Sequence, residues 1–422
     1  MSLPQITETI GGYDYDWTQE QVRIECRRLK FSGDDLKGEM TVSSTSPAVS
    51  ANHIHRSTFN FSSDVARTRM IKALSEKTSG LDLDWSGILE QTCYYTLGRQ
   101  RRGESAVEID SSQSDIQPPE YLLHPFLIKN YPSIFFGDPS SGKSLVSHLV
   151  SATLTLPWKG NPMKWQAPKE PHRVLFLDWE TDRSTVSWTS KCIEQGMNTG
   201  PLYLHYRRCG RPLCDDVEQI AEWIVETGAD VTILDSLGMA VGGDLNATEP
   251  ALNFWTAWRQ LKTTSLILAH VKKDQGDGAK RTVYGNQYYT AEARCIWEVK
   301  KIQEAGEDQL DIALFHRKPP PFAKLHQPLG LHFDFGKIDA NGISQEIKAE
   351  FRKPESVAGF VQAMGAKPRI LALLKEGALS QEEIVKTLSL TSTNTYSTLS
   401  RLKSSGEVVK LPEKRWGLTY NG

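Results

Sequence analysis

Eight residues, Gly137 to Ser144 (Gly-Asp-Pro-Ser-Ser-Gly-Lys-Ser), have the spacing of a phosphate-binding loop: a glycine, four residues, then Gly-Lys-Ser. Gly137 and Gly142 let backbone close around phosphates, while loop amides and a following helix start offer an anion site. The expected contact set is Gly137, Asp138, Pro139, Ser140, Ser141, Gly142, Lys143, Ser144 and Leu145. Lys143 can reach the β- and γ-phosphates, and the Ser144 hydroxyl can hold Mg²⁺. The chemistry this predicts is nucleoside triphosphate binding, with ATP and Mg²⁺ as cofactors.

The flanking residues must supply the elements that position this loop. Ile134, Phe135 and Phe136 read as a buried strand, and Leu145, Val146, Leu149 and Val150 as the apolar face of a helix. Strand and helix patterns then alternate to about Glu350, predicting a mostly parallel sheet covered on both faces. Three further apolar runs end on polar residues: Arg173 to Asp178, Val231 to Asp235, and Ser265 to His270. Ligands of open α/β sheets bind beyond the carboxyl ends of the strands. Asp178, Glu180, Asp235 and His270 are therefore expected together. Asp235 is the candidate Mg²⁺ carboxylate, acting directly or through water. Glu180 and Asp178 compete as general base, with alternation placing Asp178 nearer the strand end than the open crevice. His270 is either a γ-phosphate partner or a structural histidine at a strand end.

The succession of the phosphate loop, Leu-Phe-Leu-Asp-Trp-Glu, Ile-Leu-Asp-Ser-Leu, Leu-Ala-His-Val-Lys-Lys and Phe-His-Arg-Lys resembles RecA-type ATPases. Above all it is similar to plasmid RepA-like replicative helicases and their relatives in mobile elements. The resemblance covers about Tyr121 to Phe335. It implies that Glu180, not Asp178, is catalytic, and that His270 couples the γ-phosphate to DNA-binding loops. It also implies a ring, expected to be hexameric, with ATP sites between subunits. A cation after the strand Asp311 to Phe315 would then reach into a neighbour's site. Arg317 is the first candidate because its planar fork suits phosphate, and Lys318 is the second.

Two long stretches leave the same expected sheet edge: Leu237 to Pro250, with three glycines, and Val271 to Gly285. The second carries Lys272, Lys273, Lys280 and Arg281, diluted by Asp274 and Asp277. Basic, glycine-rich loops suit contacts that track a single strand's phosphates. In RecA-type proteins the matching loops hold single-stranded DNA. A flexible solvated loop is the alternative.

The rest of the chain bounds these readings. With 422 residues, 39% hydrophobic and 24% charged, it has the composition of a globular protein of two or three domains. A net charge of −2 gives no global field for nucleic acid, so DNA contacts must be local or arise on assembly. No apolar run reaches membrane length, and the first residues lack a signal peptide's pattern. The expected compartment is the cytoplasm. The six scattered cysteines form no Cys-x-x-Cys pair and are expected to be reduced thiols.

The predicted organisation is α/β: a small α+β N-terminal accessory domain with its linker (1–118), a RecA-like P-loop NTPase core (119–350), a linker (351–365) and a C-terminal domain (366–422). In the first, Gln21 to Arg28 and Lys37 to Ser43 suggest an antiparallel pair. Ser63 to Ser75 suggests a helix with Val65, Met70, Ile71 and Leu74 inward, and Trp85 to Leu97 another. His53 and His55 read as surface histidines. In the last, three helices and a hairpin resemble a winged helix-turn-helix, with Tyr396, Leu399 and Leu402 as core. Nine basic residues against five acidic ones give this domain +4. Asn394 and Arg401 on its third helix, and Lys414 and Arg415 on the wing, are candidate duplex-DNA contacts.

Together these expectations describe an ATPase coupling hydrolysis to DNA binding and translocation, a helicase replicating a plasmid, phage or mobile element with replication proteins as partners. The alternatives are a non-unwinding DNA-binding ATPase (loader, recombination mediator or regulator) and a nucleotide-gated scaffold whose winged helix docks a protein.

Overall fold

The structure is a computed structural model of the chain. It describes all residues except 1, 10, 48, 50–51, 104–105, 113–115, 157, 273–280, 304–305, 362–363 and 420–422. The chain divides into two compact units. One comprises Met1–Pro118 with Cys214–Glu226 and Thr256–Leu261, and the other takes the remainder.

The first unit is built on a five-stranded antiparallel meander: β1 (Gln5–Thr9), β2 (Gly12–Trp17), β3 (Val22–Ser32), β4 (Asp35–Ser44) and β5 (His53–Asn60). Alternation along β3 and β4 buries Val22, Ile24, Cys26, Met40 and Val42 on one face, against helices Asp64–Lys77 and Trp85–Arg102. The expected antiparallel pair is thus the centre of a larger sheet. Its outer strands are largely polar, which hid them from a period-two reading. Ser63 caps the first helix by accepting from the Ala66 amide. Val65 lies 60% exposed and is not part of the core stripe, which is carried by Met70 and Leu74. His53 and His55 both sit on β5.

The second unit begins with a short hairpin, β6 (Tyr121–Leu123) and β7 (Leu127–Ile128). Nine strands follow in one sheet: β8 (Pro132–Gly137), β9 (Val174–Asp178), β10 (His205–Arg208), β11 (Val231–Asp235), β12 (Thr264–His270), β13 (Cys295–Ile302), β14 (Gln309–Lys318), β15 (Leu329–Asp334) and β16 (Lys348–Phe351). Their spatial order is β10-β9-β11-β12-β8-β13-β14-β15-β16. The first six run parallel, and the last three pair antiparallel. Strands β8, β9 and β11 are buried along their whole length, as central parallel strands covered on both faces must be. Phe135, Phe176, Ile233 and Leu268 share a core with Val146, Leu149 and Val150 of the helix Lys143–Thr155, and with Val186 and Ile193 of the helix Arg183–Met197.

Three expectations need correction here. Leu237 to Pro250 is not a loop throughout. It opens with the helix Leu237–Val241, which ends at Gly242 in a left-handed conformation, and Thr248 starts another helix. His316, Arg317 and Lys318 do not follow a strand; they lie within β14. Tyr396 is 62% exposed, not core.

The last part of this unit has its own core. Helices Ala366–Leu374, Gln381–Leu388 and Ser392–Ser404 surround Ile370, Leu374, Ile384, Leu399 and Leu402. A small antiparallel sheet of β17 (Leu379–Ser380), β19 (Arg415–Leu418) and β18 (Val408–Lys410) adds Val408 and Trp416. Ser380 and Glu383 form a reciprocal capping box at the second helix. The third helix buries Thr395, Thr398, Leu399 and Leu402, the i, i+3, i+4, i+7 stripe. Replacing fully buried Leu399 with alanine should cost about 2–5 kcal/mol, the usual range for emptying a core leucine site. Hydrogen exchange should then accelerate across 366–419 while β8 and β11 keep their protection. Equal acceleration in β8 would show that the two cores unfold as one.

Candidate nucleotide site

Register brings the site together. In the parallel ladders Asp235 pairs with Asp178 and with Leu268, and His270 pairs with Gly137 two residues further on, so four strand ends finish within two residues of one level. At that level β8 turns into the phosphate loop. A Cβ on Gly137 would lie 2.3 Å from the Val299 carbonyl oxygen, so only glycine fits this approach to β13. Gly142 adopts φ +85° at the helix N-cap, also a glycine conformation.

Lys143 is 7% exposed and folds back, with Nζ donating to the carbonyls of Asp138 (2.8 Å) and Gly137 (3.2 Å). Burial lowers its pKa, countered by the carboxylates of Asp235, Glu180 and Asp138. Ser144 Oγ donates to Asp235 Oδ2 at 2.7 Å. Burial pushes the Asp235 carboxyl up to about 6, against the Ser144 hydrogen bond, and the Glu180 and Asp178 charges add to the rise. A hydroxyl and a carboxylate side by side are hard oxygen donors of the kind Mg²⁺ takes together with phosphate oxygens and water. Among the described residues no group of three or more His, Cys, Asp or Glu could hold a metal by itself. Ser144 and Asp235 thus fit an ion shared with a nucleotide. When bound, the ion would neutralise phosphate charge.

The two rival carboxylates have different surroundings. Asp178 is fully buried and saturated: it accepts from the amides of Glu180 (2.9 Å) and Thr181 (2.8 Å), the Thr181 hydroxyl (2.7 Å) and the Tyr206 hydroxyl (3.0 Å). It holds the turn that presents Glu180. The Glu180 side chain is 36% exposed, accepts from Ser236 Oγ, and stands 3.6 Å from His270 Nε2. The His270 contact holds its pKa below the usual value against the effect of burial, with Ser236 adding to the lowering. Glu180 is therefore ionised at neutral pH and open to a water molecule. His270 Nδ1 is buried without a hydrogen-bond partner among the described residues.

The remaining candidates fall into separate groups. Arg317 donates through Nε (2.8 Å) and its terminal NH2 to Glu298 Oε2, and its guanidinium lies 5.0 Å from the centre of the Phe315 ring. Lys318 is committed elsewhere, donating to the carbonyls of Thr290 (2.6 Å) and Ala291 (2.7 Å). Lys272 is exposed, and Lys273 and Lys280 lie outside the described residues. Arg281 reaches the phosphate loop, placing NH2 2.7 Å from both carboxylate oxygens of Asp138. Asn394, Arg401, Lys414 and Arg415 are all exposed around the C-terminal core, and Arg415 donates to the Ala378 carbonyl and to Glu383. Sequence reasoning brought Ser236, which directly follows Asp235, to the strand ends without giving it a role, and it missed Glu298. Glu298 had no such signal.

One comparison with known proteins agrees with the core at a coarse level. The AAA domain family matches residues 99–276, which contain the phosphate loop, Glu180, Asp235 and His270. Among solved structures, a KaiC-like protein from the hyperthermophilic archaeon Pyrococcus horikoshii OT3 is similar at 12% identity and a TM-score of 0.35, covering 55% of this chain and 94% of that one. A comparison with the curated proteins finds no match. The phosphate loop, the sheet and the AAA match together support a P-loop ATPase core of the RecA-like type.

Glu180→Gln should keep ATP bound while hydrolysis falls by ~10²–10⁴-fold, the usual share of a general base. Asp178→Asn should instead lower the melting temperature, because an amide cannot accept all four of the bonds that Asp178 takes. If Asp178→Asn traps bound ATP and Glu180→Gln does not, the two assignments are reversed.

Proposed function

We propose that the protein is a Mg²⁺-dependent ATPase that couples hydrolysis to binding and movement along DNA, working as a ring, hexameric by resemblance, in the replication of a plasmid, phage or mobile element. The observation that carries this reading is the direct tie between the nucleotide site and the base of the basic stretch. The Val271 amide donates to the Gly137 carbonyl, and the Tyr284 amide to the His270 carbonyl. Val271 and Val283 form a β-bridge, and Arg281 grips Asp138. A ligand holding the segment between 272 and 281 would thus pull on the phosphate loop through the Val271–Val283 bridge, its backbone hydrogen bonds and one ion pair. Single-stranded DNA suits it, through backbone phosphates and the cations Lys272, Lys273, Lys280 and Arg281.

The C-terminal residues 366–422 support a second contact. Three helices with a small sheet match the winged-helix reading, and the exposed Asn394, Arg401, Lys414 and Arg415 would meet duplex DNA. In the same reading Arg317 completes the ATP site of a neighbouring subunit.

DNA-stimulated ATPase activity with strand displacement on a forked substrate is the expected result. Stimulation without displacement would favour a loader or recombination mediator, and no stimulation a nucleotide-gated scaffold. Arg317→Ala should bind ATP nearly normally and hydrolyse it up to ~10³-fold more slowly, the lower range for an arginine finger. Mixing it with Lys143→Ala subunits should restore activity, because each mutant supplies what the other lacks. Absence of rescue in mixtures shown to co-assemble would place Arg317 in its own subunit's chemistry or outside it.

A further inference from the structure

Strand β13 carries one carboxylate in an apolar run. Glu298 is fully buried between Trp297 and Val299, on the strand that flanks the phosphate loop. Its Oε2 takes both bonds from Arg317. Its Oε1 has no hydrogen-bond partner among the described residues, yet Arg281 Nε and Lys300 Nζ each stand 3.5 Å away. Three cations therefore surround one buried carboxylate, and only Arg317 is hydrogen-bonded to it.

We propose that Glu298 is a positioning residue that parks Arg317 within its own subunit and releases it to a neighbour's phosphates, an inference resting on the neighbouring-site reading of Arg317. An arginine serving another subunit must first leave this carboxylate. A buried carboxylate stripped of its partner is strongly unfavourable, so release needs a substitute. Arg281 and Lys300 are poised as that substitute, because a small rotation of Glu298 would bring Oε1 into charge-assisted hydrogen-bonding range of either. The Phe315 ring beneath the guanidinium gives the parked pose a second contact.

The exchange is linked to the chain's own nucleotide site. Arg281 is shared between Glu298 and Asp138, the second residue of the phosphate loop. Phosphates arriving at that loop add negative charge beside Asp138 and change the competition for Arg281. Whatever moves Arg281 toward Glu298 loosens Arg317, and whatever moves it toward Asp138 tightens the parking. One subunit's loop thereby biases the arginine it offers to the next.

The test uses mixed assemblies of the full-length chain without DNA. Arg317→Ala subunits, whose phosphate loops are intact, receive the arginine, and Lys143→Ala subunits donate it. Donors also carrying Glu298→Gln should restore ATPase at about one-tenth of the parent donor concentration, the scale set by one partly exposed charge-assisted pair. Donors also carrying Arg281→Ala, which leaves Glu298 to Arg317 and Lys300, should need several-fold more. A gain from Glu298→Gln is not a result that a purely structural role would give. Equal rescue by all three donors rejects the parking role alone. Rescue by none of them rejects the neighbouring-site reading of Arg317 itself, and the parking role with it. Should Glu298→Gln melt below the assay temperature, the Arg281→Ala arm decides: unchanged rescue there overturns the proposal.

Discussion

Burying negative charge beside a site for a polyanion is the constraint on which the rest of this structure depends. Asp178, Asp235, Glu180 and Glu298 all lie around the phosphate loop, three of them buried. An ionised carboxylate taken from water must be hydrogen-bonded, paired or protonated. The chain uses a different answer for each. Asp178 accepts four hydrogen bonds with Arg208 3.5 Å away, Asp235 accepts from Ser144 while burial pushes its carboxyl up to about 6, Glu180 leans on His270 and Ser236, and Glu298 collects cations. The different answers separate their roles. Saturation makes Asp178 inert, whereas the under-satisfied Asp235 suits a cation and partial exposure leaves Glu180 able to act on water.

The same constraint explains why remote segments meet here. The fixed register of the parallel strands pairs Asp235 with Asp178 and, two residues further along, His270 with Gly137, so helix, loop and strand ends act on one volume. Arg317 comes from β14 and Arg281 from the stretch that follows β12, and both stand beside Glu298, whose buried carboxylate needs counter-charge. Site and supporting shell are thus connected by electrostatics more than by shape.

Much of this was legible in the sequence, for identifiable reasons. Fully buried strands such as Val174–Asp178 and Val231–Asp235 read as short apolar runs with a polar end, a pattern that by itself puts Asp235 and Glu180 at strand ends. The glycine spacing of 137–144 is a local signal and needs no tertiary information. Glu298 was not legible, because its partners Arg281 and Arg317 lie 17 and 19 residues away along the chain. Arg317 meets it through an antiparallel register that shifts at Ile296/Trp297, and Arg281 from the stretch after β12. The polar outer strands of the N-terminal meander escaped because their alternation is not apolar. The helix Leu237–Val241 escaped because Gly238 and Gly242 read as loop residues. Tyr396 was misplaced because two i+3 steps drift off the buried stripe that Thr395 begins.

The account's central claim is that residues 137–144 form a working nucleotide site whose one buried cation is Lys143. ATP binding and turnover by the Lys143→Ala protein, purified free of host ATPases and shown to be folded, tests it most directly. The account predicts that binding or hydrolysis is abolished while the melting curve of the apo protein is retained. Turnover at the unsubstituted rate in that preparation would contradict it.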